Sequence, residues 1–393
     1  MRHRAGLATL SSVVLVWCAC AFALNPDRDI RQLAHRSWSE KEGYPGRADA
    51  LAQTTDGFLW IGGDYGLFRF DGTHFERYLP GDKLLEGPVR GLLALHDGSL
   101  WVAYRLEKKI FVLRNGSVKS YGEADGVTSN PITIVQDHEG TIWANTETGV
   151  IRFSGARWEH IGRGWNFPED VPHTTSDTLC VDSRGTLWAA VNHTILYLKQ
   201  GSKRFEATGA FAGWTASIAE APDGTMWLSD PLSYVRAIGT SVSAKAAAIA
   251  KCEVETPKGT PPKCPGERPP VIKISAPVRL LFDRNRSLWM TTDTSGVFRV
   301  PHPELLKNRT ISKASDALQS FTSKEGLSAD NCNPILEDRE GNIWVATRDG
   351  LDQFRDTALV PVVLPTSLYR TAIAPADNGD VWIVGSYTEK RTS

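Results

Sequence analysis

Residues that could recognise a ligand recur at one equivalent position of a repeated sequence phrase, in the turn after its tryptophan-containing segment. They are Asp64, Tyr65, Arg105, Glu147, His193, Asp230, Asp293 and Arg348. Charged groups combined with an aromatic ring are typical of pockets that bind a small molecule or an oligosaccharide. The alternative for each of them is a solvated side chain in a surface turn.

Catalytic and metal chemistry have little support in the sequence. His173 and His193 are the candidates for a general base, but neither has a neighbouring nucleophile or a second histidine at ligand spacing. The chain has no Cys-x-x-Cys pair and no histidine cluster of the kind that binds zinc. We therefore expect no catalytic residue, no metal and no cofactor.

The cysteines outside the N-terminal segment fall into two kinds of sequence. Cys252 and Cys264 bracket a polar, proline-rich stretch, and in an oxidising compartment such a pair forms a disulfide that fixes the loop. The alternative is two free thiols. Cys180 lies in an apolar strand pattern and is expected to be a small core residue.

Composition excludes several classes of protein. The 393 residues include 44 basic and 45 acidic side chains, so the formal charge of −1 gives no electrostatic basis for binding nucleic acid. Hydrophobic residues make up 41% and charged residues 23%, which is ordinary for a soluble globular protein. The 13 Trp and 34 Gly against only 3 Met favour short strands and tight turns over helices.

The N-terminus has the pattern of a secretory signal peptide. Arg2 and Arg4 precede an apolar run over residues 7–23, and Ala21 and Ala23 satisfy the small-x-small rule for cleavage. We expect residues 1–23 to be removed, with a periplasmic mature chain starting near Leu24. The alternative is an uncleaved segment that anchors the protein in the inner membrane.

A turn containing Asp or Gly, an aliphatic residue and a tryptophan recur together eight times. The tryptophans are Trp60, Trp101, Trp143, Trp188, Trp227, Trp289, Trp344 and Trp382. Their spacings are 41, 42, 45, 39, 62, 55 and 38 residues, and a period near 41 is typical of a four-stranded propeller blade. We expect each indole to pack as a wedge between adjacent sheets rather than to bind a ligand.

The repeats predict an all-β fold, a β-propeller of four-stranded blades. We expect seven blades over residues 46–370, with an incomplete further repeat over residues 371–393. The segment 24–45 resembles a sequence between later blades, so we expect it to supply an outer strand that closes the ring. An eight-bladed ring is the alternative.

Two repeats carry a longer motif. Residues 137–146 read DHEGTIWANT and are followed by GVIRF at 149–153, and residues 338–347 repeat the first part before Gly350 and Leu351. This pattern resembles the two-component regulator propeller family. Its members are periplasmic sensor repeats that precede bacterial histidine kinases, hybrid kinases and some diguanylate cyclases.

The resemblance implies a periplasmic ligand-sensing propeller of a two-component signalling protein, without a catalytic domain in this chain. Its partners would be an unknown small molecule or oligosaccharide and either a membrane-bound kinase or a second propeller, with no nucleic acid. Two other classes stay open. One is a stand-alone propeller enzyme of the streptogramin-lyase type, and the other is a scaffold that binds proteins.

Overall fold

Seven sheets, in which nearly all neighbouring strands are antiparallel, are arranged around an axis in the computed structural model, which confirms the predicted seven-bladed β-propeller. The structure describes residues 24–79, 87–168, 178–191, 194–211, 217–230, 234–238, 270–306, 309–357, 368–375 and 381–387. The first strand of each blade contacts the first strands of the two neighbouring blades, and the last blade contacts the first, so the ring is closed.

The blades follow the chain, and within each blade the strands run from the axis outward. The closing strand is β1 (Ala34–Ser39). Blade 1 comprises β2 (Ala48–Gln53), β3 (Leu59–Gly63), β4 (Gly66–Phe70) and β5 (Phe75–Arg77). Blade 2 comprises β6 (Val89–Ala94), β7 (Leu100–Tyr104), β8 (Lys109–Arg114) and β9 (Ser117–Tyr121). Blade 3 comprises β10 (Pro131–Gln136), β11 (Ile142–Thr146), β12 (Gly149–Phe153) and β13 (Trp158–His160).

Blade 4 comprises β14 (Leu179–Val181), β15 (Leu187–Val191), β16 (Thr194–Leu198) and β17 (Glu206–Phe211). Blade 5 begins with β18 (Ser217–Glu220), β19 (Met226–Asp230), β20 (Tyr234–Ile238) and β21 (Val271–Lys273). Blade 6 has β22 (Pro277–Phe282), β23 (Leu288–Thr292) and β24 (Val297–Val300), and after β25 (Thr310–Ser312) it is completed by β26 (Gln319–Phe321). Blade 7 comprises β27 (Cys332–Glu337), β28 (Ile343–Thr347), β29 (Gly350–Arg355) and, as its outer strand, β1. Short 3₁₀ helices span Ile30–Gln32, Glu40–Glu42, Glu123–Asp125, Arg163–Trp165 and Pro303–Leu306.

The ring is closed by the pairing of β1 with β29, the last strand of blade 7 along the chain. Trp38 lies opposite Leu351 in this ladder, and its indole stacks on that of Trp344 with 5.5 Å between ring centroids. His35 Nε2 lies 2.8 Å from a carboxylate oxygen of the fully buried Asp352. Packing and a buried polar contact therefore both fix the N-terminal strand to the end of the ring.

Blade 5 has a fifth strand, which arises from the longer spacing between the sixth and seventh tryptophans. After β24 the chain leaves blade 6 and returns through β25, which pairs in parallel with β21 at the outer edge of blade 5. Ile311 of β25 is buried in the same hydrophobic cluster as Ile272 of β21. The extra strand thus covers the edge that blade 5 would otherwise expose.

Seven of the eight repeated indoles lie between adjacent blades. Each is at most 7% exposed and shares a hydrophobic cluster with inner-strand residues of the next blade. For example, Trp60 packs with Val89 and Leu100 of blade 2, and Trp344 packs with Leu59 of blade 1. Burial of a side chain of this size contributes about 2–3 kcal/mol, so the indoles are a main source of cohesion between blades.

An aspartate six residues before the tryptophan gives the repeat motif its physical basis. In blade 3, Asp137 Oδ1 accepts hydrogen bonds from the backbone N–H groups of Glu139 and Thr141, while Oδ2 accepts from the Trp143 indole at 2.7 Å. Blades 4, 6 and 7 repeat the indole contact at 2.7–3.0 Å. The turn also needs a left-handed residue, and Gly140 supplies it with φ +85°.

Trp382 departs from the expectation for the other tryptophans. It lies in β31 (Val381–Tyr387), which pairs only with β30 (Leu368–Pro375) among the described residues. Because no neighbouring sheet in the described part of the chain covers it, the Trp382 side chain is 63% exposed, and Ile373 and Val384 are exposed beside it. The prediction that this indole is a buried wedge is therefore wrong in the described structure.

No helix within the described ranges is long and apolar enough to cross a bilayer.

Candidate functional site

In blades 1, 2, 3, 6 and 7, the turns between the second and third strands lie at one end of the ring, which we call the upper face. Six of the residues singled out from the sequence lie in these turns: Asp64, Tyr65, Arg105, Glu147, Asp293 and Arg348. All are exposed except the half-buried Arg105. These six residues therefore lie on a common face of the ring, in turns that are arranged around the axis.

One of the predicted ligand residues, Asp230, does not join this set. Asp230 is the last residue of β19, opposite Tyr234 in the ladder, and it is fully buried. Strand β19 extends as far as Asp230, where the sequence predicted a turn, and the Asp230 side chain is therefore enclosed. His193 lies outside the described residues.

Polar contacts tie the upper-face turns to neighbouring loops. An Arg105 guanidinium nitrogen lies 3.8 Å from a carboxylate oxygen of Asp64, which joins blade 2 to blade 1. Asn130 donates to Glu147 at 2.9 Å, and Asn331 donates to a carboxylate oxygen of Asp293 at 2.5 Å. Hydrogen bonds and an ion pair thus connect these exposed turns to neighbouring parts of the ring.

An axial channel opens at the centre of the ring. Its cavity of about 190 Å³ is lined by the first strands of all seven blades. Three charged side chains line it, Asp49 of blade 1, Arg90 of blade 2 and Arg279 of blade 6. The ladder register shifts beside each of them, which is the mark of a β-bulge, and bulges redirect side chains. The sequence patterns did not point to these three residues.

The environment of Asp49 gives the channel its electrostatic character. Asp49 is only 7% exposed, and this burial raises the pKa of its carboxyl group above the ordinary range. Arg90, Arg47 and Arg105 oppose that shift through their positive charge. Asn333 of blade 7 donates to the same carboxylate at 3.4 Å. The channel thus presents a carboxylate and guanidinium groups from different blades, which suits recognition of a small polar molecule.

Of the cysteines in the described structure, Cys332 is buried and Cys180 is partly buried. Cys180 and Cys332 are free thiols, and burial raises the pKa of both well above the ordinary value. Cys252 and Cys264, the predicted disulfide pair, lie outside the described residues. Within the described ranges, no group of three or more His, Cys, Asp or Glu side chains is arranged to hold a metal ion.

Comparison with solved structures places this fold among several functional classes. The extracellular domain of the putative hybrid two-component system BT3049 from B. thetaiotaomicron superposes with a TM-score of 0.62 at 14% identity. The match covers 89% of this chain and 46% of that one, so the chain spans about half the length of that domain.

Two other similar structures have different functions. An inactive variant of virginiamycin B lyase from Staphylococcus aureus, with quinupristin, gives a TM-score of 0.59 at 14% identity over 82% of this chain and 99% of that one. YCF48 bound to a D1 peptide gives 0.56 at 13% identity over 87% and 99%. At these identities the likeness concerns the fold alone.

Comparison of sequences gives a match over a much shorter part of the chain than comparison of structures does. No curated protein matches the chain. The model described as the two-component regulator propeller matches residues 326–349, which run from the loop before β27 through the Trp344 motif to the turn after β28. This match confirms the family resemblance that the repeated motifs predict, and the chain carries a two-component regulator propeller repeat in its seventh blade.

Proposed function

We propose that this chain is the exported, ligand-sensing propeller of a two-component signalling protein and that it performs no catalysis itself. The observation that carries the proposal is the mouth of the axial channel. There, Asp49, Arg90 and Arg279 converge from three separate blades on one polar cavity. Residues that are distant in sequence but share one cavity are typical of a binding site.

The proposed mechanism is a shift of populations. A ligand that contacts several inner strands stabilises one arrangement of the blades, and an output module reads that arrangement. The family repeat and the fold shared with an extracellular domain of a hybrid two-component system support this role. Periplasmic location, a kinase partner and a small-molecule or oligosaccharide ligand are parts of the proposal.

A ligand screen tests the proposal. We would measure the melting temperature of the mature protein with amino acids, dicarboxylates and neutral and acidic oligosaccharides, and then titrate each hit by calorimetry. A ligand at ten times its Kd stabilises the folded state by about 1.4 kcal/mol. We expect Arg90→Gln and Arg279→Gln to weaken binding at least about tenfold.

Arg157→Gln is the matched control for these variants. Arg157 is an exposed arginine in the turn between β12 and β13, at the end of its sheet opposite the upper face. Its substitution removes one positive charge and leaves the channel intact, so binding should not change. A panel without a single hit, or a panel in which neither channel variant weakens the binding of any hit, would contradict the proposal.

A lyase is the second candidate, because the fold is shared with virginiamycin B lyase. The discriminating measurement is turnover of a streptogramin B antibiotic in the presence of Mg²⁺, followed by mass spectrometry. Ring opening at a rate proportional to protein concentration would replace the sensing proposal. An unchanged substrate mass is the result we expect.

A further inference from the structure

A second and larger cleft lies at the joint between blade 7 and blade 1. Its volume is about 760 Å³, and it shares no lining residue with the axial channel. The last residue of the closing strand and the segment after it, residues 39–46, form one side, and Tyr65, Phe68 and Arg77 of blade 1 form another. Arg348 of blade 7 completes the lining at the turn after β28. Clefts of this size hold small organic molecules.

Positive charge reaches this cleft from three segments of the chain. Lys41 comes from the segment after β1, Arg77 from β5 of blade 1 and Arg348 from blade 7, whereas Glu40 and Asp349 supply two negative charges. The Arg348 Nε atom lies 3.9 Å from an Asp349 carboxylate oxygen, and both side chains are mostly exposed, so this pair is weak. The net charge of the lining favours an anion.

The cleft also contains an exposed aromatic ring on a fixed support. Tyr65 is 65% exposed, and its ring packs so closely on Gly46 that a Cβ atom there would lie 3.2 Å from it. Tyr44, beneath the cleft, is buried and donates a hydrogen bond to the Thr347 carbonyl oxygen at 3.0 Å. Backbone packing thus positions Tyr65 while leaving most of its surface open to a ligand ring.

We infer that this cleft binds a carboxylate carried on a six-membered ring, either an aromatic acid or an acidic sugar. The guanidinium groups of Arg77 and Arg348 recognise the carboxylate, since arginine pairs with carboxylates through charge-assisted hydrogen bonds. Tyr65 packs against the ring. The inference goes beyond the proposed function, because it adds a second ligand site at the joint of the ring, separate from the axial channel.

This location links binding to ring closure. The cleft is lined by the segment that follows β1, by blade 1 and by blade 7, so an occupant bridges all three parts of the joint. Separation of β1 from β29 then requires release of the ligand. Amide hydrogens of residues 34–39 that exchange through this opening should slow by the factor 1 + [L]/Kd, about tenfold at ten times Kd.

The experiment uses the mature protein with benzoate and digalacturonate as probes and with benzyl alcohol and galactobiose as their neutral counterparts. Calorimetry should detect binding of at least one acid and of neither neutral compound. Arg77→Gln and Arg348→Gln should each weaken that binding at least about tenfold. The Arg157→Gln variant, on the opposite face, should bind like the wild type, and circular dichroism would verify that every variant is folded.

Hydrogen exchange of residues 34–39 with the binding acid present gives the second readout. Binding of benzoate alone identifies an aromatic acid, binding of digalacturonate alone identifies an acidic sugar, and both results support the inference. It is overturned if neither acid binds, or if both arginine variants bind as tightly as the wild type. The channel variants Arg90→Gln and Arg279→Gln test the proposed function separately, because they leave this cleft unchanged.

Discussion

Removal of the motif aspartate in blade 7 should cost far more stability than removal of a similar aspartate in blade 2. Asp338 is 5% exposed, and one of its oxygens accepts a hydrogen bond from the buried Trp344 indole at 2.7 Å. Its other oxygen accepts from the Asn342 backbone N–H at 2.8 Å. Asp338→Ala leaves a buried indole N–H without a partner, at a cost of about 1–3 kcal/mol, and also removes the turn contact.

The control is Asp97→Ala. Asp97 occupies an exposed turn position of blade 2 and accepts hydrogen bonds from the Ser99 N–H and hydroxyl groups, but it contacts no indole. Asp97 also lies 3.4 Å from a guanidinium nitrogen of Arg114, but this pair is exposed and contributes little, so the expected loss is below about 1 kcal/mol. We expect the two variants to differ by about 2 kcal/mol in their free energies of unfolding.

Urea unfolding followed by fluorescence measures both losses, and a double-mutant cycle with Trp344→Phe isolates the indole contact. Removal of both partners should be less costly than the sum of the two single losses, with a coupling energy of about 1–2 kcal/mol. Equal losses for Asp338→Ala and Asp97→Ala, or a coupling energy near zero, would refute the role of the aspartate–indole hydrogen bond in stabilising the blade.

Three further predictions concern other parts of the ring. Arg286 has φ +70° at the position that Gly341 occupies in the next blade, and this left-handed conformation favours glycine. Arg286→Gly should therefore raise the free energy of unfolding in urea by up to about 1 kcal/mol, and a lower free energy of unfolding would contradict this. Burial raises the pKa of Asp49, so its contribution to stability is present below its unfolded pKa of about 3.9 and is lost as pH rises through the folded pKa. Asp49→Asn should therefore gain stability relative to the wild type at pH 7 but not near pH 3.5, and an identical difference at both pH values would argue against it. Cys332 should react with iodoacetamide only after unfolding, because it is buried and burial raises the pKa of its thiol; rapid labelling of Cys332 in the folded protein, located by peptide mapping, would contradict the structure. The partly buried Cys180 should react more slowly in the folded protein than in the unfolded protein.

The fold could be predicted from the sequence because its main signal is local and repeated. Each Trp lies a fixed distance after a turn, and seven copies were enough to indicate both the blade and the ring. Trp382 has the same local signal, yet it is exposed, because burial depends on a neighbouring sheet that a local motif does not specify.

The candidate site was harder to predict because strand continuity and bulges are tertiary features. Asp230 is a residue type that is common in turns, but here it is the last residue of a buried strand. Asp49, Arg90 and Arg279 carried a detectable signal, since each is a charged residue near the start of an otherwise apolar first strand. Their convergence on the axis becomes evident only when the seven first strands are assembled.

The pairing of β1 with β29 has a consequence for the order in which the molecule folds. His35 and Asp352, which meet across this pairing, are 317 residues apart in the chain. Bringing the ends of so long a loop together costs about 3 kcal/mol more in chain entropy than closing a hairpin of about ten residues. The first strand of the ring to be synthesised is therefore expected to be the last to dock.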